Sequence, residues 1–142
     1  MIQTTGIQII IPGEPQGKAR PRVTLHGTYT PQKSKDYESL VRQIFALNYP
    51  RHILTESSLE MVVNAYYKIP KAATKKMREA MTSEIIRPVK KPDADNIIKI
   101  IADALNGLAY KDDCQIVRLE FEKFYALTPR VEIWIREREE EE

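Results

Sequence analysis

The run Lys90-Lys91-Pro92-Asp93-Ala94-Asp95-Asn96 sets two carboxylates two positions apart just ahead of an amphipathic stretch, and Lys111-Asp112-Asp113 follows that stretch. Pro92 biases Lys91 toward extended backbone. If residues 93–95 are also extended, Asp93 and Asp95 project to one side, because side chains alternate along an extended chain. Either acid is also a good cap for the helix that follows. Projected at roughly 100° per residue, Asp95, Lys99, Asp103 and Asn106 fall on a narrow polar strip. Ile97, Ile98, Ile101, Ala102, Ala104, Leu105 and Leu108 fill a broad apolar arc opposite. Lys99 therefore stands one turn beyond Asp95. Gly107 weakens the helix end, and Asp112 and Asp113 arrive immediately before a strand-like run. A helix followed by an adjacent strand can bring its outer ends together, so Asp113 is expected near Asp93 and Asp95.

Three carboxylates of this kind are hard oxygen ligands of the sort Mg²⁺ takes while keeping several waters. Such a cation polarises a phosphoryl oxygen and acidifies a bound water, and a neighbouring lysine stabilises the charge that gathers on phosphorus-bound oxygens. Clustered acids without a cation would repel one another and a phosphate. Each piece alone also has a structural explanation: Asp-x-Asp-Asn as a cap, Lys99 as a solvated helix residue, Asp112-Asp113 as a turn. Their joint arrangement, beside basic segments, is what favours phosphodiester chemistry. Lys18, Arg20 and Arg22 alternate in a loop and could line one side of it, and Lys90 and Lys91 adjoin the acids; both sets suit phosphate contacts. Tyr29 and Tyr66 could stack on bases or simply pack.

The elements that must position these residues are legible as patterns. A β-branched run over residues 7–11 predicts a strand ended by Pro12 and Gly13. Gly, Pro and cations then dominate residues 13–27, predicting a loop or irregular hairpin. Residues 31–48 read as a helix through Tyr37, Leu40, Val41, Ile44, Phe45 and Leu47, stopped by Pro50. Residues 59–69 alternate as a strand, with Leu59, Met61, Val63, Ala65, Tyr67 and Ile69 on one face. A short helix passes through Ala72, Met77 and Met81, residues 85–92 connect, and a second helix spans about 95–108. Val117, Leu119 and Phe121 alternate as a strand, and Val131, Ile133 and Ile135 as its expected antiparallel neighbour across a turn at 127–130. The order β-α-β-α-α-β-β predicts an α/β (α+β) domain, a mixed sheet with packed helices, over residues 1–136. Residues 137–142 read as a frayed acidic tail.

Bulk properties narrow the classes. At 142 residues the chain suits one domain, and 42% hydrophobic with 30% charged residues places it among globular rather than disordered proteins. No apolar run approaches the ~20 residues that span a bilayer, and no signal-peptide pattern opens the chain, so a cytoplasmic location without membrane partners is expected. The single Cys114 excludes an internal disulfide or a zinc site of paired thiolates, and reads as a small buried hydrophobe. His26 and His52 lack partners at ligand spacing. The net charge of +2 hides an asymmetry: Glu137 and the four glutamates at 139–142 set aside, the remainder carries about +7. A basic body suits a polyanionic partner.

The run Pro92-Asp93-Ala94-Asp95-Asn96-Ile97-Ile98-Lys99, then Asp103-Ala104-Leu105-Asn106-Gly107, then Asp112-Asp113-Cys114-Gln115-Ile116-Val117 resembles the signature of RusA-type Holliday junction resolvases. Gly17-Lys18-Ala19-Arg20-Pro21-Arg22 is similar to the basic opening of phage-related members. The resemblance covers most of the chain and is most specific over residues 92–117. It implies a metal-dependent endodeoxyribonuclease that resolves four-way DNA in recombination and repair. By the same resemblance Asp93, Asp95 and Asp113 are metal-binding catalytic acids, Lys99 the catalytic lysine, and Asp112 an accessory member of the site. Mg²⁺, replaceable by Mn²⁺, is the implied cofactor, and a homodimer on branched DNA the implied assembly. Two alternatives remain open: a nuclease preferring flaps or forks, and a protein that grips junctions without cutting.

Overall fold

The computed structural model describes residues 6–29 and 31–138; the four C-terminal glutamates expected in the tail lie outside the described residues. Its elements are β1 (Ile7–Pro12), β2 (Arg22–Thr24), β3 (Gly27–Tyr29), α1 (Gln32–Asn48), β4 (Leu59–Lys68), α2 (Lys75–Thr82), α3 (Ala94–Leu105), β5 (Ile116–Ala126) and β6 (Arg130–Glu137), with a 3₁₀ turn at Asp113–Gln115 before β5. This is the expected mixed α+β class: a mixed sheet with three helices. The elements form two compact units. One contains β1, β4, α2, β5 and β6; the other contains β2, β3, α1, α3 and the 3₁₀ turn.

The first unit is built on a four-stranded sheet in the order β1-β6-β4-β5. Period-two patterning decides its buried face. Ile7, Ile9 and Ile11 of β1, Leu59 through Tyr67 at alternate positions of β4, and Val131, Ile133 and Ile135 of β6 all lie at or below 7% exposure. β4 is the central strand, antiparallel to β6 and parallel to β5, pairing Met61 with both Ile135 and Leu119. The expected β5–β6 hairpin does not form. Alternation says which way side chains face but not which strand lies alongside. β4, whose inward residues are at most 1% exposed, takes the middle. β5 carries Arg118, Glu120, Glu122 and Lys123 and takes an edge. β6 runs through Glu137, and the Arg138 N–H donates to the Ser58 carbonyl at 2.9 Å. Glu137 therefore belongs to the sheet and not to a frayed tail.

On the opposite face of this sheet, Tyr66 is stacked against Phe124 with ring centroids 5.2 Å apart. Arg130 covers Tyr66 at 3.9 Å and Arg87 covers Phe124 at 4.4 Å. A four-member stack thus crosses from β6 over β4 and β5 to the segment after α2. Tyr66, one of two tyrosines considered for base stacking, is occupied by this packing. α2 begins where Thr74 accepts a hydrogen bond from the Met77 N–H, a side-chain cap that starts the helix four residues later than the Pro70 signal suggests.

In the second unit α1 packs against α3. Ser34, Tyr37, Val41 and Phe45 recur at helical spacing on the buried side of α1, while Leu47 is 81% exposed rather than part of it. On α3 the buried set is Ile97, Ile100, Ile101, Ala102, Ala104 and Leu105. Arg42 of α1 donates to the carbonyls of Ala104 and Asn106 at 2.8 and 3.2 Å, satisfying groups that a helix C-terminus leaves open. The helix ends at Leu105, not 108, and Gly107 turns the chain with φ 74°. Residues 22–29 form an exposed hairpin: Arg22 pairs with Tyr29, and the Thr24 hydroxyl donates to the Gly27 carbonyl at 3.0 Å across the turn.

Candidate active site on the third helix

Asp93 occupies the N-cap position of α3 with extended backbone, φ −71° and ψ 154°, yet its carboxylate makes no capping hydrogen bond. Its carbonyl alone serves the helix, accepting from the Ile97 N–H at 3.0 Å. The carboxylate is therefore exposed and free of the structural duty that its position invites. The helix starts at Ala94, so Asp95 already lies in the first turn, and the two acids are not related by strand alternation as the sequence suggests. Asp95 Oδ1 accepts from the Asn96 N–H at 3.0 Å, a placement that the positive end of the helix dipole favours. Lys99 is exposed one turn on and forms no ion pair with any described residue. The Lys91–Pro92 peptide that leads into the helix is cis.

The loop ahead of the hairpin is fastened to this helix start. The Lys18 N–H donates to the Asn96 carbonyl at 2.9 Å. A Cβ on Gly17 would lie 3.0 Å from both Asn96 Cβ and Pro92 Cβ, so only glycine lets the loop approach so closely. The Ala19 N–H donates to the buried Ser34 hydroxyl at 3.0 Å, tying the loop to α1 as well. Lys18 is not available to phosphates as expected. Its ammonium is bound to Glu38 and lies 3.4 Å from Asp103, and its side chain is only 15% exposed. Burial alone would pull its pKa down; the Glu38 and Asp103 carboxylates more than offset this and hold it above the ordinary lysine value. Arg20, Arg22 and Lys91 are exposed. Lys90 belongs to the other unit, where its ammonium lies 5.9 Å from the Tyr125 ring and its carbonyl accepts from Lys123.

Asp112 and Asp113 sit at the far end of α3. Asn106, the C-cap residue, accepts from the Asp113 N–H at 2.9 Å through Oδ1, and Gln115 Oε1 accepts from both the Lys111 and Asp112 N–H groups at 3.0 Å. These bonds hold the two carboxyls together. The hydrogen bond from Asp113 to Asp112 raises the Asp113 pKa above the usual range, reinforced by burial and by the charges of Asp112 and Asp103. The same bond lowers the pKa of Asp112. One acid raised and its neighbour lowered mark carboxylates forced close without a compensating cation. Lys111, the nearest cation in sequence, is bound to Glu56 instead. Buried Tyr110 donates to the Ala102 carbonyl at 2.8 Å; burial first, then Asp113, Asp103 and Asp112, push its phenol up.

The structure does not bring Asp113 to Asp93 and Asp95. Eight residues separate Asp95 from Asp103, about 12 Å along the helix axis, and Asp113 lies with the latter. The connection after Leu105 is short and clamped by Asn106, so Asp113 stays where the chain leaves the helix. In kind, the donors suit a hard divalent cation. In placement they do not yet form its site: among the described residues no group of three His, Cys, Asp or Glu side chains converges to hold a metal ion. Cys114, expected in the interior, is exposed beside Asp112. Asp103, Asn106 and Gln115 are the site-shaping residues that sequence reasoning left without a role. Their signal was present, since Asp103 and Asn106 share the polar strip with Asp95 and Lys99.

A helix carrying Asp-x-Asp-Asn at its start and an Asp-Asp pair at its exit, in a mixed α+β fold, defines a nuclease-like arrangement of acids. The chain matches the family model described as endodeoxyribonuclease RusA over residues 12–136, and it belongs to that family. It is also 39% identical over 137 residues to the uncharacterized protein YqaN of Bacillus subtilis (strain 168), a match covering 92% of this chain and 96% of that protein. No helix among the described residues is long and apolar enough to cross a membrane.

Proposed function

We propose that this protein is an endodeoxyribonuclease that resolves four-way DNA junctions, in a reaction that requires Mg²⁺ or Mn²⁺. The observation that carries the reading is the Asp112–Asp113 pair, two carboxyls held side by side at the exit of α3 by Asn106 and Gln115, with the Asp113 pKa raised and that of Asp112 lowered by their mutual hydrogen bond. Paired acids at such a cost, in a family of endodeoxyribonucleases, fit a place prepared for positive charge. By the family's pattern Asp93, Asp95 and Asp113 would hold a divalent ion once Asp113 is drawn to the start of α3, and the bound ion would supply polarisation of the phosphoryl group. Lys99, exposed one turn beyond Asp95 and without an ion pair among the described residues, would face a phosphate. Arg20, Arg22 and Lys91 are exposed cations of the same unit and suit backbone contacts that position the DNA. Work as a homodimer on branched DNA in the cytoplasm, in recombination or repair and in a phage or prophage setting, belongs to the same reading.

A second reading, junction binding without cleavage, is favoured by the absence of a three-acid cluster among the described residues. Cleavage of a labelled four-way junction with Mg²⁺, Mn²⁺ or EDTA separates the two. Paired nicks from the wild type, abolished by EDTA and reduced at least ~100-fold in Asp95→Asn, are expected. Tight junction binding with no incision under either metal would sink the nuclease reading. Incision of flaps or forks in preference to four-way junctions would retain the nuclease and replace the substrate.

A further inference from the structure

Residues 68–78 carry Lys68, Lys71, Lys75, Lys76 and Arg78, and no acid lies between Glu60 and Glu79. The segment ends β4, turns at Pro70 and starts α2, all within the first unit. Its arginine is spent on the backbone. Arg78 Nε donates to the Ala73 carbonyl at 3.1 Å, and Nη2 donates to the carbonyls of Pro70 and Lys71 at 3.2 and 3.0 Å. The Ala73 N–H donates to the Pro70 carbonyl at 3.1 Å, and Thr74 caps the helix. These bonds make the turn and the helix start one fixed piece. Lys71, Lys75 and Lys76 stand on it, and all three are exposed.

These lysines are not held as the arginines of the same unit are. Arg87, Arg118, Arg130, Arg136 and Arg138 each reach a glutamate, at 2.7 to 3.9 Å. Lys71, Lys75 and Lys76 form no ion pair with any described residue. Glu79 lies one turn beyond Lys75 and Lys76, at spacings that suit helical ion pairs, and still takes neither. Both lysines also occupy the first turn of α2, where the macrodipole favours acids and none is present. Helix stability therefore does not account for them. Three like charges on a fixed backbone, facing water without a counter-charge, fit a partner that brings negative charge of its own.

We propose that Lys71, Lys75 and Lys76 contact the phosphate backbone of an arm of the DNA junction, as a second cationic surface besides Arg20, Arg22 and Lys91 of the other unit. Such contacts position a duplex without reading its sequence, and the fixed turn lowers the cost of ordering them. Lys68 is left out, because Glu14 accepts from its N–H at 3.3 Å and sets an acid beside it. The choice of DNA rests on the proposed function and on membership of an endodeoxyribonuclease family; the surface itself rests on α2 and the turn before it.

The test is binding of the full chain to a labelled four-way junction in EDTA, read by fluorescence anisotropy over a range of salt concentrations. Lys71→Ala, Lys75→Ala and Lys76→Ala combined should weaken binding roughly tenfold or more at about 0.1 M salt and make the log–log salt slope shallower by roughly two to three. Lys75→Arg with Lys76→Arg keeps the charge and should keep both affinity and slope. Circular dichroism of each variant checks that the fold persists. A triple variant that binds with undiminished affinity and slope would overturn the assignment. So would a wild type that binds polyglutamate as tightly as DNA through the same three lysines, which would give the surface to an acidic polypeptide. A shallower slope in the triple variant, with a wild type that cuts no junction under Mg²⁺ or Mn²⁺, would leave this surface standing and remove the nuclease reading. A wild type that cuts junctions while the triple variant binds unchanged would do the reverse.

Discussion

At the scale of single residues, Asp113 shows most directly how this site differs from an ordinary helix end. Its folded-state pKa is raised, so the stability it contributes is present below the ordinary carboxylate range and is lost as pH rises through its own raised value. Asp112 runs the other way, its contribution being present above the ordinary range and lost as pH falls through its lowered value. At neutral pH the pair is held against repulsion. Asp113→Asn keeps a donor for Asp112 and removes one charge, so it should raise the melting temperature by about 1–3 °C at pH 7 while abolishing cleavage. The gain should shrink at acid pH, as the Asp113 carboxyl takes up its proton. Calorimetry at the two pH values checks this, and a lower melting temperature at pH 7 would make the pair a stabilising turn. Residue identity proved a poorer guide for the cations. Lys18 and Lys90 read as phosphate ligands in the sequence, but one is committed to Glu38 and Asp103 and the other lies beside aromatic rings. Composition identifies a cation; only the fold decides which carboxylate or ring reaches it first.

At the scale of elements, α3 is where sequence and structure agree most and also where they part most informatively. Its hydrophobic spacing marks the buried side, and its polar strip marks Asp95, Lys99, Asp103 and Asn106 together. The strip does not reveal that the helix begins at Ala94, or that Asn106 fastens Asp113 to the helix exit. Those facts depend on hydrogen bonds between a side chain and a distant backbone, which leave no periodic trace. The same holds for β5 and β6, whose patterns are clear but whose neighbour, β4, is supplied by sheet topology. The loop at Gly17 offers a test at this scale. Gly17→Ala places a Cβ 3.0 Å from Pro92 and Asn96 carbons, so the loop and the start of α3 must move apart by a few tenths of an ångström. The expected cost is about 1–3 kcal/mol of stability with weaker junction binding, measured by denaturant titration and by binding at fixed salt. Arg20→Ala with Arg22→Ala should instead leave stability unchanged and flatten the salt dependence of binding by roughly two phosphate contacts. An unchanged slope would take this loop out of the DNA interface.

At the scale of the whole molecule, a four-way junction presents two equivalent strands, and resolving it takes two incisions within one encounter. A single copy carries one set of Asp93, Asp95, Lys99 and Asp113, so paired incision calls for two copies with symmetric sites. On a supercoiled plasmid with an extruded cruciform, simultaneous incision linearises the circle. A lone incision releases the supercoiling, collapses the cruciform and leaves a nicked circle. Diluting the protein below the concentration at which two copies associate should therefore shift the product from linear to nicked DNA. Agarose electrophoresis of the plasmid reads both outcomes. Linear product that survives undiminished on dilution would mean that paired incision is organised by the junction itself and not by two copies associated beforehand.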